Sequence, residues 1–303
     1  MTIRTRKQWP EITIVVPSYN AGATIGRALT SLINQEYPNL QIICVDGQST
    51  DDTLARIGQF GPAISQIISE PDKNSADALN KGFRRATGEF WGWLCADDEL
   101  APGALFRFME AFDKHPEADL VTGGCRRFYA DGSEQITMPP AQLQEAISMK
   151  NYIEQPSTLW RRAVHQRAGE LDISFNMAFD HELWCRLDRC GAKFVAIPDV
   201  VSHYHFSESN LTSQGGRKLV REMYRVTKEY GPYRGVTAYI YRLFYHVFDL
   251  RGYFDYDNKI PSWKMAFFGA LLATIRICFG KMIIENYNWN FASRQERGIC
   301  WYK

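Results

Sequence analysis

Two adjacent carboxylates, Asp97 and Asp98, stand at the end of the apolar run Phe90-Trp91-Gly92-Trp93-Leu94-Cys95. Two like charges side by side are costly unless a cation sits between them, and hard divalent cations take carboxylate oxygens. The run is bounded by Gly88 and by the turn residues after Leu100, which gives it the length and composition of a buried strand. In an open α/β sheet, ligands bind outside the C-terminal ends of the strands. The pair therefore points to a divalent-cation site that carries a phosphorylated substrate. The competing reading is a helix start, with one Asp as the cap and Pro102 in the first turn.

Three other loops carry polar residues suited to a nucleotide. In Pro17-Ser18-Tyr19-Asn20, Tyr19 can stack on or hydrogen-bond a base, and the helix that follows offers its N-terminus to a phosphate. In Val45-Asp46-Gly47-Gln48-Ser49, Asp46 is an acceptor-only group for the N–H or O–H of a base or ribose. The third loop is Glu70-Pro71-Asp72-Lys73-Asn74, with Asp77 and Asn80 in the helix behind it. Each loop alone is ordinary turn chemistry. Four of them on one edge of one sheet point to a nucleotide site.

The elements that must position these loops are legible in the periodicity. Ile12 to Val16 reads as a strand stopped by Pro17, and Ile25, Ala28, Leu29, Leu32 and Ile33 follow at helical spacing with Thr24 as the cap. Strands are expected over 41–45, 64–68 and 90–95. Helices are expected after Ser49-Thr50-Asp51-Asp52, which resembles a capping sequence, over 76–86 and through Ala104, Leu105, Phe108 and Phe112. This βαβαβαβ order implies a mostly parallel sheet with helices on both faces. Residues 118–138 read as a hairpin around Asp131-Gly132, residues 178–190 as a helix, and Phe194 to Ile197 as a strand closed by Pro198.

The net charge of +1 over 303 residues argues neither for nor against a nucleic-acid partner; no strongly basic stripe stands out, and no nucleic-acid partner is expected. Behind the basic residues 1–7 the apolar run is only five residues long, too short for a signal peptide, which implies a cytoplasmic protein. Seven scattered cysteines without a C-x-x-C pair read as reduced thiols, and the Cys185/Cys190 spacing does not suit zinc. From about residue 217 the character changes, and residues 235–303 are rich in aromatics and poor in acids. Met265 to Ile284 is 20 residues of mostly apolar sequence interrupted by Arg276 and Lys281. A central Arg costs roughly 2.5–3.5 kcal/mol in a span, so a helix lying in the bilayer surface fits better. The alternative is a helical subdomain packed on the core or on a partner. The expected division is residues 1–216 and 217–303, with peripheral contact at the inner face of the cell membrane through 235–303.

The set Ile14-Val15-Val16-Pro17-Ser18-Tyr19-Asn20, Val45-Asp46-Gly47-Gln48-Ser49-Thr50-Asp51-Asp52-Thr53, Ser69-Glu70-Pro71-Asp72, Asp77-Ala78-Leu79-Asn80-Lys81-Gly82 and Ala96-Asp97-Asp98 closely resembles the family 2 glycosyltransferases. The resemblance covers roughly residues 11–215. It implies a GT-A fold (Rossmann-like, α/β, with a mixed, mostly parallel sheet) and inverting transfer from a nucleotide-diphosphate sugar, most often a UDP-sugar, to a saccharide or lipid-linked acceptor. Asp46 corresponds to the nucleotide-recognising acid, with Pro17, Tyr19 and Asn20 beside it and Asp72 and Asp77 on the same donor side. Asp98 would ligate Mg²⁺ or Mn²⁺ on the diphosphate, and Asp97 would face the ribose or the metal. Phe179-Asp180-His181-Glu182-Leu183-Trp184-Cys185-Arg186 resembles the helix that carries the catalytic base, which makes Asp180 that base, with His181 and Glu182 as alternatives and a helix N-cap as the structural reading. In His203-Tyr204-His205, His205 is the candidate for the metal, although His203 stands where the family has Arg. Two further departures are Gly47, where many members carry a second acid, and Cys95, where others carry Asn or Asp. A nucleotidyltransferase on a similar sheet and a non-catalytic carbohydrate-binding scaffold are the competing functions. The first lacks a basic phosphate loop here, and the intact acids argue against the second.

Overall fold

The computed structural model describes residues 9–140, 143–144, 147–148, 151–207, 210 and 216–231, and within the C-terminal region residues 263, 266–267, 270, 273–274 and 277–278. Packing divides the chain into two units. The first is Met1–Leu143, Ile153–Asn176 and Arg186–Phe206; the second is Gln144–Tyr152, Met177–Cys185 and Ser207–Lys303.

The first unit begins as the sequence demands. Strand β1 (Ile12–Ser18), helix α1 (Gly22–Ile33), β2 (Leu40–Asp46), α2 (Thr53–Gly58), β3 (Gln66–Ser69), α3 (Ser75–Phe83) and β4 (Phe90–Trp93) alternate, and the four strands pair in parallel in the order β3-β2-β1-β4. The apolar stripe of α1 is buried: Ile25, Ala28, Leu29 and Leu32 all have no exposed surface, and each Ile or Leu contributes about 1.5–3 kcal/mol by leaving water. Helix α3 lies so close to the sheet that a Cβ on Gly82 would come 2.4 Å from Val15 Cγ1.

The rest of the sheet turns mixed. After β5 (Glu99–Leu100) and α4 (Ala104–Lys114) come β6 (Leu120–Phe128), β7 (Glu134–Thr137), β8 (Thr158–Arg161), α5 (Arg162–Ala168), α6 (Phe179–Arg189) and β9 (Phe194–His205). β8 runs antiparallel between β4 and β6, β9 runs parallel to β6, and β5 is antiparallel to β9. β6 and β7 form the expected hairpin, with Gly132 at φ 82°. Helix α7 (Gly216–Tyr230) belongs to the second unit.

Several expected boundaries move. β1 continues through Pro17 to Ser18, because β4 pairs only as far as Val15 and needs no donor from Pro17. β9 likewise passes Pro198, with register shifts against β6 between Thr122 and Cys125. Thr24 does not cap α1: the N-cap is Ala21, and the Thr24 hydroxyl donates to the Ala21 carbonyl at 3.3 Å. The acids at 97 and 98 do not start a helix either. α4 begins at Ala104, with Gly103 at φ 73° as its N-cap. Of the expected membrane-surface stretch, residues 235–303, all but eight residues lie outside the described residues. Among the described residues no helix is long and apolar enough to cross a membrane.

Candidate active site

The loops at the C-terminal ends of β1 and β2 are tied together by the residues singled out above. Ser18 and Asp46 are register partners. Asp46 has no exposed surface, and its carboxylate accepts from the Ser49 N–H (2.9 Å), the Ser49 hydroxyl (2.5 Å), the Ser69 hydroxyl (3.1 Å) and the Ser18 hydroxyl (3.4 Å). A carboxylate has about four lone-pair sites, so the acceptor expected for a base or ribose is already occupied within the protein. Asn20, at φ 48°, crosses the same gap: its N–H donates to the Ser49 hydroxyl at 2.8 Å, and its Oδ1 accepts from the Thr50 N–H at 2.8 Å. Pro17 is buried in β1, whereas Tyr19 is 65 % exposed and offers its ring.

The expected phosphate site at the start of α1 is taken. The Gly22 N–H donates to Asp51 Oδ2 at 2.9 Å and the Ala21 N–H to the Thr53 hydroxyl at 2.8 Å. The capping-like residues before α2 thus serve the start of α1. This correction has a simple cause: a nearby carboxylate satisfies orphan helix donors as well as a phosphate does.

Asp72 packs where Gly47 lacks a side chain; a Cβ at Gly47 would lie 2.4 Å from Asp72 Oδ2. The Asp72 carboxylate, from the next loop, thus occupies the space that a side chain at position 47 would take. Burial raises the Asp72 carboxyl above its ordinary range, Lys81 opposes the shift, and Asp77 and Asp46 add to it. Asp77 is engaged locally. Its N–H donates to Asn74 Oδ1 (3.1 Å) and its Oδ2 accepts from the Lys73 N–H (3.0 Å), a reciprocal cap on α3. Asn80 is buried and exchanges two 2.9 Å bonds with the Leu171 backbone.

Beyond β4 the chain turns sharply, with the Asp98 N–H on the Cys95 carbonyl at 3.0 Å. Cys95, Asp97 and Asp98 each bring one ligand atom to a point where all lie within 4.8 Å of one another. Asp98 is 1 % exposed, and its Oδ1 has no hydrogen-bond partner among the described residues. Burial, then the charges of Asp97, Glu154 and Glu99, push its carboxyl well above the usual range, against Arg27. A buried, orphaned carboxylate oxygen beside two further donors fits a divalent cation. Arg27 holds the turn from α1: it donates to the Asp97 carbonyl at 3.0 Å and pairs with Glu99 at 2.9 Å. His205, expected at the metal, instead bonds Glu99 Oε1 at 2.6 Å and stacks on Phe128; it is not part of the cluster.

In the second unit the three acids and bases of the α6 motif part company. His181 is fully buried, its Nε2 lies 2.6 Å from the Ile147 carbonyl, and burial lowers its pKa to about 4. Glu182 is buried and accepts from the Tyr230 hydroxyl at 2.6 Å. Asp180 alone of the three is partly exposed; its oxygens accept from Asn151 Nδ2 (3.0 Å) and the His181 N–H (2.7 Å). Glu222, from α7, accepts from the N–H groups of Met177 and Ala178 at 2.8 and 3.0 Å, just before α6 begins. Sequence reasoning missed Arg27, Glu154 and Glu222, whose partners are far away in the chain. It noted Cys95 only as a departure, although Cys-x-Asp-Asp is itself a donor spacing.

The model of the family described as "Glycosyl transferase family 2" matches residues 13–167, just over half of the chain. A relative from Erwinia amylovora, the amylovoran biosynthesis glycosyltransferase AmsB, is 30 % identical over 215 residues, covering 63 % of this chain and 68 % of that protein. Among solved structures, S. aureus TarS 1–349 in complex with UDP-GlcNAc superposes with a TM-score of 0.59 at 15 % identity, covering 95 % of this chain and 92 % of that one. The mannosyltransferase PcManGT from Pyrobaculum calidifontis, in complex with GDP-Man and Mn²⁺, gives a TM-score of 0.54 at 20 % identity, covering 96 % and 80 %. Both likenesses carry the GT-A fold, whose curled, mostly parallel sheet is the one described above. The chain belongs to glycosyl transferase family 2 and is a glycosyltransferase.

Proposed function

We propose that this enzyme moves a sugar from a nucleoside-diphosphate sugar to a hydroxyl of a saccharide or lipid-linked acceptor, in glycan biosynthesis and with inversion at the anomeric carbon. The observation that carries the reading is the cluster of Cys95, Asp97 and Asp98 with its orphaned carboxylate oxygen, placed just past β4. Asp97 and Asp98 hold a divalent ion, Mg²⁺ or Mn²⁺. When bound, such an ion neutralises charge on the leaving diphosphate. Arg27, Glu99 and His205 keep the turn in shape. Tyr19 meets the base, Asp72 takes an N–H or O–H of the nucleoside, and Asp46 with Pro17, Asn20 and Asp77 fixes the loops that carry them. Asp180 takes the proton of the acceptor hydroxyl as it attacks the sugar; its exposure, against the burial of His181 and Glu182, supports that choice. Residues 235–303 attach the enzyme to the membrane surface, which their aromatic and basic composition supports.

The test is nucleotide release from a panel of UDP-, GDP- and TDP-sugars with Mg²⁺ or Mn²⁺, on the full chain and on Asp98→Ala and Asp180→Asn. One donor should respond, and the response should vanish in Asp98→Ala. With acceptor present, Asp180→Asn should lower transfer by about 10²–10⁴-fold while donor binding persists. Full transfer by Asp180→Asn would remove it as the base.

A further inference from the structure

We propose that Cys95 is itself a ligand of the divalent ion, and that its sulfur makes the site select Mn²⁺ and softer ions over Mg²⁺. The inference deepens the proposed donor site and rests on that reading for its purpose, though not for its test. Cys95 Sγ lies within 4.8 Å of an oxygen from each of Asp97 and Asp98, and no second Asp or Glu takes its place in the cluster found among the described residues. The independent observation is Asp98 Oδ1, which is buried, without a hydrogen-bond partner among the described residues, and part of a carboxylate that closes the same cluster. A buried acceptor left open is costly unless a cation completes it.

The Cys95 thiol is half-buried and donates a 3.2 Å hydrogen bond to Gln155 Oε1, and Gln155 is separately anchored by its Nε2 to the Trp93 carbonyl at 2.9 Å. As a metal–sulfur bond forms, the thiol proton leaves to solvent and the bond to Gln155 is given up, while Gln155 stays in place. Thiolate is a soft donor that suits zinc and its neighbours, whereas Mg²⁺ takes oxygen and keeps its waters. A donor set of one sulfur and two carboxylates therefore discriminates against Mg²⁺.

Cd²⁺ is the probe, because a Cd–thiolate bond absorbs in the ultraviolet and reports sulfur ligation without any turnover. The full chain should develop this band on titration. Cys95→Ser should lose it, and Asp98→Asn should weaken Cd²⁺ binding at least about tenfold. Mn²⁺ should displace Cd²⁺ at a concentration about tenfold or more below that needed of Mg²⁺, and in Cys95→Asp, which restores an oxygen donor, the two should converge. A band that survives Cys95→Ser, or that ignores Asp98→Asn, overturns the proposal. So does equal displacement by Mg²⁺ and Mn²⁺ in the unaltered protein. Thermal melts of Cys95→Ser and Cys95→Asp establish that each is folded before it is read. A protein that gives the Cys95-dependent band yet releases nucleotide from no sugar donor keeps this inference and refutes the proposed function; donor turnover without the band does the reverse.

Discussion

At the scale of single residues, the site gains function by placing unlike groups where the chain itself left a gap. Gly47 and Asp72 are the clearest case. The glycine leaves room at the end of β2, and the Asp72 carboxylate from the following loop fills it, raised above its ordinary pKa chiefly by burial. Gly47→Ala puts a methyl group 2.4 Å from Asp72 Oδ2. The atom it meets is the end of a side chain, so the fold should hold and the consequence should fall on where Asp72 points. Nucleoside-diphosphate affinity, measured by calorimetry, should drop about tenfold, which is about 1.4 kcal/mol, with the melting temperature nearly unchanged. Unaltered affinity in this variant would mean that Asp72 takes no part in holding the nucleoside. Asp46 makes the opposite point. Its acceptor sites are filled by Ser18, Ser49 and Ser69, so its substitution should loosen loops rather than delete one contact.

At the scale of elements, helix α6 is set at its start by a residue 44 positions beyond Ala178, the Glu222 carboxylate on α7. Negative charge at a helix N-terminus is favourable, and a buried carboxylate with two N–H donors is an expensive group to orphan. Glu222→Ala should therefore destabilise the second unit by about 1–3 kcal/mol in denaturant melts, and Glu222→Gln, which keeps one acceptor oxygen, by less. Equal losses for the two variants would assign the effect to packing and not to the cap. The same helix shows what the sequence could and could not disclose. The choice of Asp180 came from the resemblance of the motif to that of the family, whereas the helix's extent, 179–189 against an expected 178–190, came from local spacing. So did the first four strands, each an apolar run closed by turn residues. The partners did not: Glu222 on α7, Arg27 on α1 and Glu154 before β8 reach their sites through tertiary contacts that leave no local pattern. β8 and α5 went unread for a related reason, since Thr158–Arg161 is too short and too polar at its ends to stand out. The end of β9 was misplaced because proline stops a strand only where its missing N–H is needed.

At the scale of the whole molecule, each unit buries a histidine that resists protonation. In the first, His165 sits against Phe83 and Trp91 at 5.0 Å, stacks on Trp160 and has its pKa lowered to about 4, by burial first and the Arg186 charge second. In the second, burial holds His181 at about 4, against the pull of the Ile147 carbonyl. Both are bases whose folded pKa lies below the unfolded value of about 6.5. Above that value the ring is neutral in both states and costs nothing. As the pH falls from 6.5 toward 4 the unfolded chain takes up a proton that the folded chain refuses, and stability is lost by up to about 3 kcal/mol per histidine. Carboxylates also titrate near the lower end of that window, so the informative quantity is the difference between variants. His165→Phe keeps an aromatic ring among Phe83, Trp91 and Trp160 and removes the titrating nitrogen. Its stability should fall about 3 kcal/mol less than that of the unaltered protein between pH 7 and pH 4, read from denaturant midpoints across the range. Parallel curves for the two proteins would mean that His165 is protonated in the folded state, and that the aromatic cage around it admits a charge.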